Sequence, residues 1–137
     1  MVYIKRLLEK DIVENIKSFP VILLCGPRQV GKITILEKLS NDKVNHVSLD
    51  DPLERKFNRR PALFLENHKP PLIIDEIQYA TELLPYIKMK VDQARLEALK
   101  SDVPSTCLYY LTGTQMFTMM KNVSESLAGR VGIIDMY

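Results

Sequence analysis

The stretch LLCGPRQVGKITIL (residues 23–36) runs from apolar residues through a loop bounded by Gly26 and Gly31 into Lys32 and Ile33. The residues just before the loop, VILLC (21–25), form a short continuous apolar run, the pattern of a strand buried on both faces of a parallel sheet. Residues 32–39 carry helical spacing, so the segment reads as strand, tight loop, helix. Gly26, Gly31 and Lys32 fit GxxxxGK in the setting that this motif requires. Its mechanics are simple. Glycines let the chain turn so that successive N–H groups point inward at phosphate oxygens, the following helix adds its positive end, and the lysine reaches outward to the same phosphates. Gly26, Pro27, Arg28, Gln29, Val30, Gly31, Lys32, Ile33 and Thr34 are therefore the candidate phosphate-binding residues. For Arg28, a phosphate contact and a solvated loop tip both remain open.

Outward from the loop, Ile4, Leu7, Leu8, Ile12 and Ile16 recur at helical spacing over 4–18, and Pro20 marks a change of direction. Downstream, VNHVSL (44–49) reads as a strand, and Asp50, Asp51 and Pro52 supply helix-start chemistry for LERKFNRR. PPLIIDEIQ (70–78) repeats the buried-strand pattern, and Leu84, Ile87, Val91, Ala94 and Ala98 mark one face of a long helix. TCLYYLTGT (106–114) is the next strand, QMFTMMKNVSESLAG a helix, and 131–136 a last strand. Met116, Met119 and Met120 read as core filling. Strand and helix in alternation predict an α/β domain with a parallel sheet and right-handed crossovers.

Composition sets outer bounds. The chain has 137 residues, 46% of them hydrophobic, and no shift in composition, which reads as one domain over 1–137. Nineteen Lys and Arg against seventeen Asp and Glu leave a formal charge of +2, which gives nucleic-acid binding no electrostatic support. Because VILLC is the longest apolar run, the sequence reads as soluble, unexported and cytoplasmic, without a membrane partner. Cys25 and Cys107 belong to no CxxC pair and read as packed free thiols; His46 and His68 lack metal-ligand spacing.

A second element carries chemistry. LIIDE sets Asp75 and Glu76 at the carboxyl end of a buried strand, where ligands of open α/β sheets bind. Asp75 is the candidate magnesium ligand, directly or through water, and Glu76 the candidate base for an attacking water. The competing role is a helix cap for one of the two acids. An acid directly after the aspartate favours hydrolysis over transfer to a small-molecule hydroxyl, which disfavours a kinase.

GPRQVGK, SLDDP, LIIDEIQ, LTGTQ and SESLAGRV, in that order, resemble the prokaryotic AAA-like ATPase family, whose P-loop domain is followed by a C-terminal domain of unknown function. The resemblance covers nearly the whole chain. It implies a three-layer P-loop sandwich with five parallel strands in the order 5-1-4-3-2, ATP and magnesium as ligands, and ATP hydrolysis. It also implies that Thr112, Thr114 and Gln115 sense the γ-phosphate or the attacking water, although TGT is equally ordinary turn chemistry. Arg130 is similar to an arginine that reaches a nucleotide in its own or a neighbour's site; an arginine after a glycine at a helix end also satisfies helix carbonyls.

Two departures stand out. The position after Lys32 carries a hydroxyl in the motif and Ile33 here, which offers magnesium no oxygen. Thr34 is expected to point elsewhere, because one residue of helix turns a side chain by about 100 degrees. Phosphate binding should survive this change, since N–H groups and Lys32 remain, while metal affinity and turnover fall; a water filling the missing ligand position is the alternative. The 137 residues also hold only the ATPase part of the family's pattern, so surface that a second domain would cover is expected to favour self-association or a partner protein. A nucleotide-binding or structural module without catalysis is the competing function.

Overall fold

Five consecutive apolar residues need cover on both sides, and Val21–Cys25 (β1) finds it in the middle of a sheet, each residue at most 1% exposed. In a computed structural model the described residues are 2–26, 31–39, 44–52, 60–101, 107–114 and 117–136, without the side chains of 2–6 and 117. Before β1 runs Val2–Ser18 (α1), and after it Lys32–Leu39 (α2), Asn45–Ser48 (β2), Pro61–Asn67 (α3) and Leu72–Asp75 (β3). Two one-turn 3-10 helices, Ile77–Tyr79 and Thr81–Leu83, lead into Leu84–Ser101 (α4), and Tyr109–Gly113 (β4), Phe117–Ser126 (α5) and Val131–Asp135 (β5) complete the chain.

The five strands are all parallel in the order β2-β3-β4-β1-β5, which is 5-1-4-3-2 read from the other edge. Val21 is level with both Tyr109 and Val131, and Cys25 with both Gly113 and Asp135, so β1, β4 and β5 start and stop together. Side chains alternate between two cores. Val21, Leu23 and Cys25 join Ile74, Tyr109 and Leu111 beneath Phe64 of α3, Ile87 and Val91 of α4, and Val123 of α5. Ile22 and Leu24 join Ile73 and Tyr110 against Ile12 of α1 and Ile35 and Leu36 of α2. Because the strands are parallel, the chain leaves every one of them at the same rim, and the loops after β1, β3 and β4 are forced together there.

Several expectations change in detail. The strand read over 70–78 shrinks to Leu72–Asp75, and a helix not read from the sequence, α3, opens on Pro61 as its first residue and buries Phe64 and Leu65. Residues 53–59 of the helix read in LERKFNRR lie outside the described residues, as does Met116. Met119 is buried as read, and Met120 packs against the same core. In α4, Leu84, Ile87 and Val91 are buried, while Ala94 and Ala98 are only partly covered. An 18-residue helix is about 27 Å long and a five-residue strand about 16 Å, so the last turns of α4 overhang the sheet.

Candidate functional site

At the carboxyl rim, Gly26 follows β1 and its N–H donates to the Gly113 carbonyl at 3.1 Å, tying the loop's first residue to the end of β4. Pro27, Arg28, Gln29 and Val30 lie outside the described residues. Gly31 has φ +73, and a Cβ built on it meets nothing within 4 Å, so conformation and not space asks for glycine here. Its carbonyl accepts the Ile35 N–H at 3.1 Å, the first turn of α2. The next side chain, Lys32, is only 5% exposed, and Nζ donates to the carbonyls of Gly26 at 2.8 Å and Gly113 at 3.4 Å. A buried ammonium is thus held by neutral dipoles.

Across the rim, the Asp75 carboxylate accepts hydrogen bonds from the Thr112 hydroxyl and, at 3.4 Å, from the Ser48 hydroxyl. Thr112 is fully buried in β4, and its oxygen also accepts the Glu76 N–H at 3.1 Å, so one hydroxyl fixes the side chain of one acid and the main chain of the next. Glu76 is buried and has φ +61, a left-handed conformation uncommon for a residue with a Cβ and concentrated at functional sites. Gln78, in the following 3-10 turn, donates from Nε2 to the Glu76 carboxylate. Thr114 follows β4 half-buried, and Gln115 lies outside the described residues.

A cavity of about 370 Å³ opens between these two halves, lined by Gly31, Lys32, Ile33, Thr34, Asp50, Asp75 and Glu76. Six of its seven lining residues belong to the candidates read from the loop and the acidic strand. Thr34 is exposed and, like Ile33, lines this cavity, while Ile33 also packs on the apolar cluster beneath α1. A helix that meets a cavity near its first turn presents more than 100 degrees of its surface to it, so neighbouring positions both reach the opening. Asp50, Ser48 and Gln78 went unnoticed as site residues. SLDDP held the signal for the first two, since Ser48 ends β2 and its hydroxyl accepts the Asp50 N–H at 3.3 Å.

Arg130 is not brought to this cavity. It precedes Val131, and its carbonyl accepts the Val21 N–H at 3.2 Å, which sets it at the amino ends of the strands, about 16 Å of β1 away from the loop. Its guanidinium donates through Nε and Nη2 to the two oxygens of Asp92 on α4 at 2.7 and 3.1 Å, and through Nη1 to the Ala128 carbonyl at 2.9 Å. The Arg130 hydrogen bond in turn holds the Asp92 carboxyl below the usual carboxylate range. Own-site reach, one of the two roles read for Arg130, is therefore corrected. The helix-end role read beside it matches the bond to Ala128. No described arginine lines the cavity.

The cysteines supply no nucleophile. Burial pushes the Cys25 thiol up to about 11, with Asp135 adding to the shift and Lys32 opposing it, and burial carries Cys107 to about 12. Among the described residues no three His, Cys, Asp or Glu are grouped to hold a metal, and no helix is long and apolar enough to cross a membrane.

Comparison with known proteins adds an independent finding. A family model described as "AAA domain" matches residues 18–137. Uncharacterized proteins of Mycobacterium bovis and Mycobacterium tuberculosis are each 30% identical over 119 residues, which are 85% of this chain and 25% of the relative. The chain thus spans about a quarter of the length of the curated relatives it matches.

Proposed function

This chain belongs to the AAA domain family, and from that premise we propose that its loop binds the phosphates of ATP with magnesium and that Glu76 activates water for hydrolysis, at a rate held down by Ile33. The observation that carries the reading is the cavity that gathers Gly31, Lys32, Asp75 and Glu76 at the start of α2.

Its charges support a nucleotide that arrives with a cation. Among the described charged lining residues Asp50, Asp75 and Glu76 outnumber Lys32, a balance that opposes a polyphosphate arriving without a cation. Hard oxygen donors suit magnesium, which takes one or two carboxylates and completes its shell with phosphates and water. Asp75 would hold the ion, directly or through water, and the ion would neutralise charge on the phosphates.

The protein's own groups do the rest. Lys32 exchanges the Gly26 and Gly113 carbonyls for phosphate oxygens, a swap of one set of hydrogen bonds for stronger, charge-assisted ones. N–H groups of Arg28, Gln29, Val30 and Gly31 would cradle the phosphates, with Gly26, whose own N–H goes to Gly113, and Pro27, which lacks that donor, opening the loop, and Thr34 bounds the cavity. Thr112 keeps Asp75 and Glu76 in a fixed relation, so that the metal ligand and the base are set together. Glu76 accepts the proton of the attacking water, and Thr114 and Gln115, following β4, orient that water or the γ-phosphate. Arg130, at the opposite rim, would serve only the site of a neighbouring copy. Ile33 contributes no oxygen, and its packing on the core ties it to the fold. That same packing favours the second reading, a module that binds nucleotide without turning it over.

Calorimetric titration of ATP into the chain and into Ile33→Thr, each with magnesium and with chelator, tests the proposal alongside phosphate release. The native chain should bind ATP more tightly with magnesium than with chelator, though by a smaller margin than the variant does. Ile33→Thr should gain affinity and turnover with magnesium, by about 10- to 100-fold, the scale on which metal sites answer to their supporting partners. Binding by neither protein overturns the nucleotide reading; binding without turnover by both selects the non-catalytic one.

A further inference from the structure

We propose that Gln78 is the positioning residue of Glu76, holding its carboxylate in one orientation at the cavity; the proposal rests on the hydrolytic reading of Glu76. Two features fix the main chain of Glu76, its left-handed φ of +61 and the 3.1 Å bond from its N–H to Thr112. Neither fixes the carboxylate. A hold on that group is Gln78 Nε2, which donates to Glu76 Oε2 from two residues further along.

The other end of the same amide shows that this orientation is selected. Gln78 Oε1 is buried with no hydrogen-bond partner among the described residues. Turning the amide over would set oxygen against carboxylate oxygen and leave the carboxylate without this donor, so chemistry forbids the exchange. The fold therefore keeps an orphaned acceptor in order to keep the donor on Glu76, and buried unsatisfied groups are rare enough to call for a functional reason. The amide is wedged as well. A Cβ on Gly113 would lie 2.9 Å from Gln78 Oε1 and 2.9 Å from the Met119 sulfur, so glycine at 113 leaves the space the amide occupies. Gly113 is also the residue whose carbonyl takes the Gly26 N–H and Lys32 Nζ. Gln78 thus braces the acid against the strand end that holds the phosphate loop.

Three properties separate this role from a merely structural one. Gln78→Leu removes the donor and the orphaned acceptor together, so turnover should fall roughly 10- to 100-fold, as when a catalytic group's orienting partner is lost. The KM for magnesium-ATP should hold within about twofold, and the melting temperature should fall only modestly, because the orphaned acceptor goes while the buried Glu76 carboxylate loses this donor. Gln78→Glu retains an acceptor and sets a like charge on Glu76, and it should lose at least as much turnover. A Leu variant that turns over like the parent, or one that loses activity only as it loses folded protein, overturns the proposal.

A second arm needs no turnover. The side-chain amide signals of Gln78, identified by their loss in Gln78→Leu, should exchange slowly with water in the parent and shift in Glu76→Ala. Signals unmoved by Glu76→Ala overturn the proposal even if ATP is not hydrolysed. A Glu76→Gln variant as active as the parent overturns instead the reading of Glu76 as base, so the two failures are told apart.

Discussion

At the carboxyl ends of the strands Lys32 is buried against two backbone carbonyls and shares a cavity with three acids, whereas at the amino ends Arg130 closes both arms on Asp92. Both rims carry cations and carboxylates, yet at the first Lys32 is held by carbonyls and Asp75 by hydroxyls. A lysine held by carbonyls can trade them for phosphate oxygens at small net change, because each bond lost is replaced by a stronger one. An arginine in a bidentate ion pair must first leave a carboxylate of its own. Charge alone does not mark a site; what marks it is charge held by groups that can let go.

The sharpest way to break this comparison is at the carboxyl rim. Glu76→Gln should lower phosphate release by about 10²- to 10⁴-fold, the contribution of a positioned general base, while calorimetric ATP affinity is preserved. Full activity in this variant would erase the distinction between the rims. A middle-sized effect should come from β5, between them. An alanine Cβ at Gly132 would collide with Asn15 Oδ1 and stand 2.8 Å from Phe19 Cδ2, and Asn15 is anchored by its own bond to the Asp11 carbonyl at 2.8 Å. Gly132→Ala should therefore destabilise the fold by about 1–3 kcal/mol in urea titrations, with turnover per folded molecule unchanged.

The smallest effect belongs to the amino rim. The Asp92 carboxyl is held below its ordinary range, first by the Arg130 hydrogen bond. On acidification the unfolded chain takes up the proton before the folded one. The stabilisation is therefore complete above the ordinary carboxylate range and is lost as pH falls through the folded value. Asp92→Asn should melt slightly below the parent at neutral pH and coincide with it in strong acid, because exposed ion pairs contribute little. Turnover should not change. A loss of turnover in Asp92→Asn would bring the amino rim into the reaction and break the comparison from that side.

Much of this division could be read before the fold was known. VILLC and LIID announce interior strands because runs so apolar can lose contact with water on both faces. GK before a helix and DE after a strand place Lys32, Asp75 and Glu76 at strand ends, and the cavity holds all three. The position of Arg130 was legible in part. It precedes its strand, and in a parallel sheet the residues before strands gather at the rim opposite the loop. The helix over 61–67 escaped notice because its seven residues are too few to establish a period.

The meeting of Asp50 with the acidic pair and the wedging of Gln78 against Gly113 were beyond any such reading, for they depend on distances between segments far apart in the chain. Local sequence determined where the chain is apolar enough to be a buried strand, where it can turn, and which charged residues follow each strand. Tertiary structure decided which of those charges meet each other and which meet only backbone and hydroxyl groups. Hydrophobic periodicity is a property of neighbouring residues, whereas the partner of a charge is whichever group packing brings within about 3 Å of it.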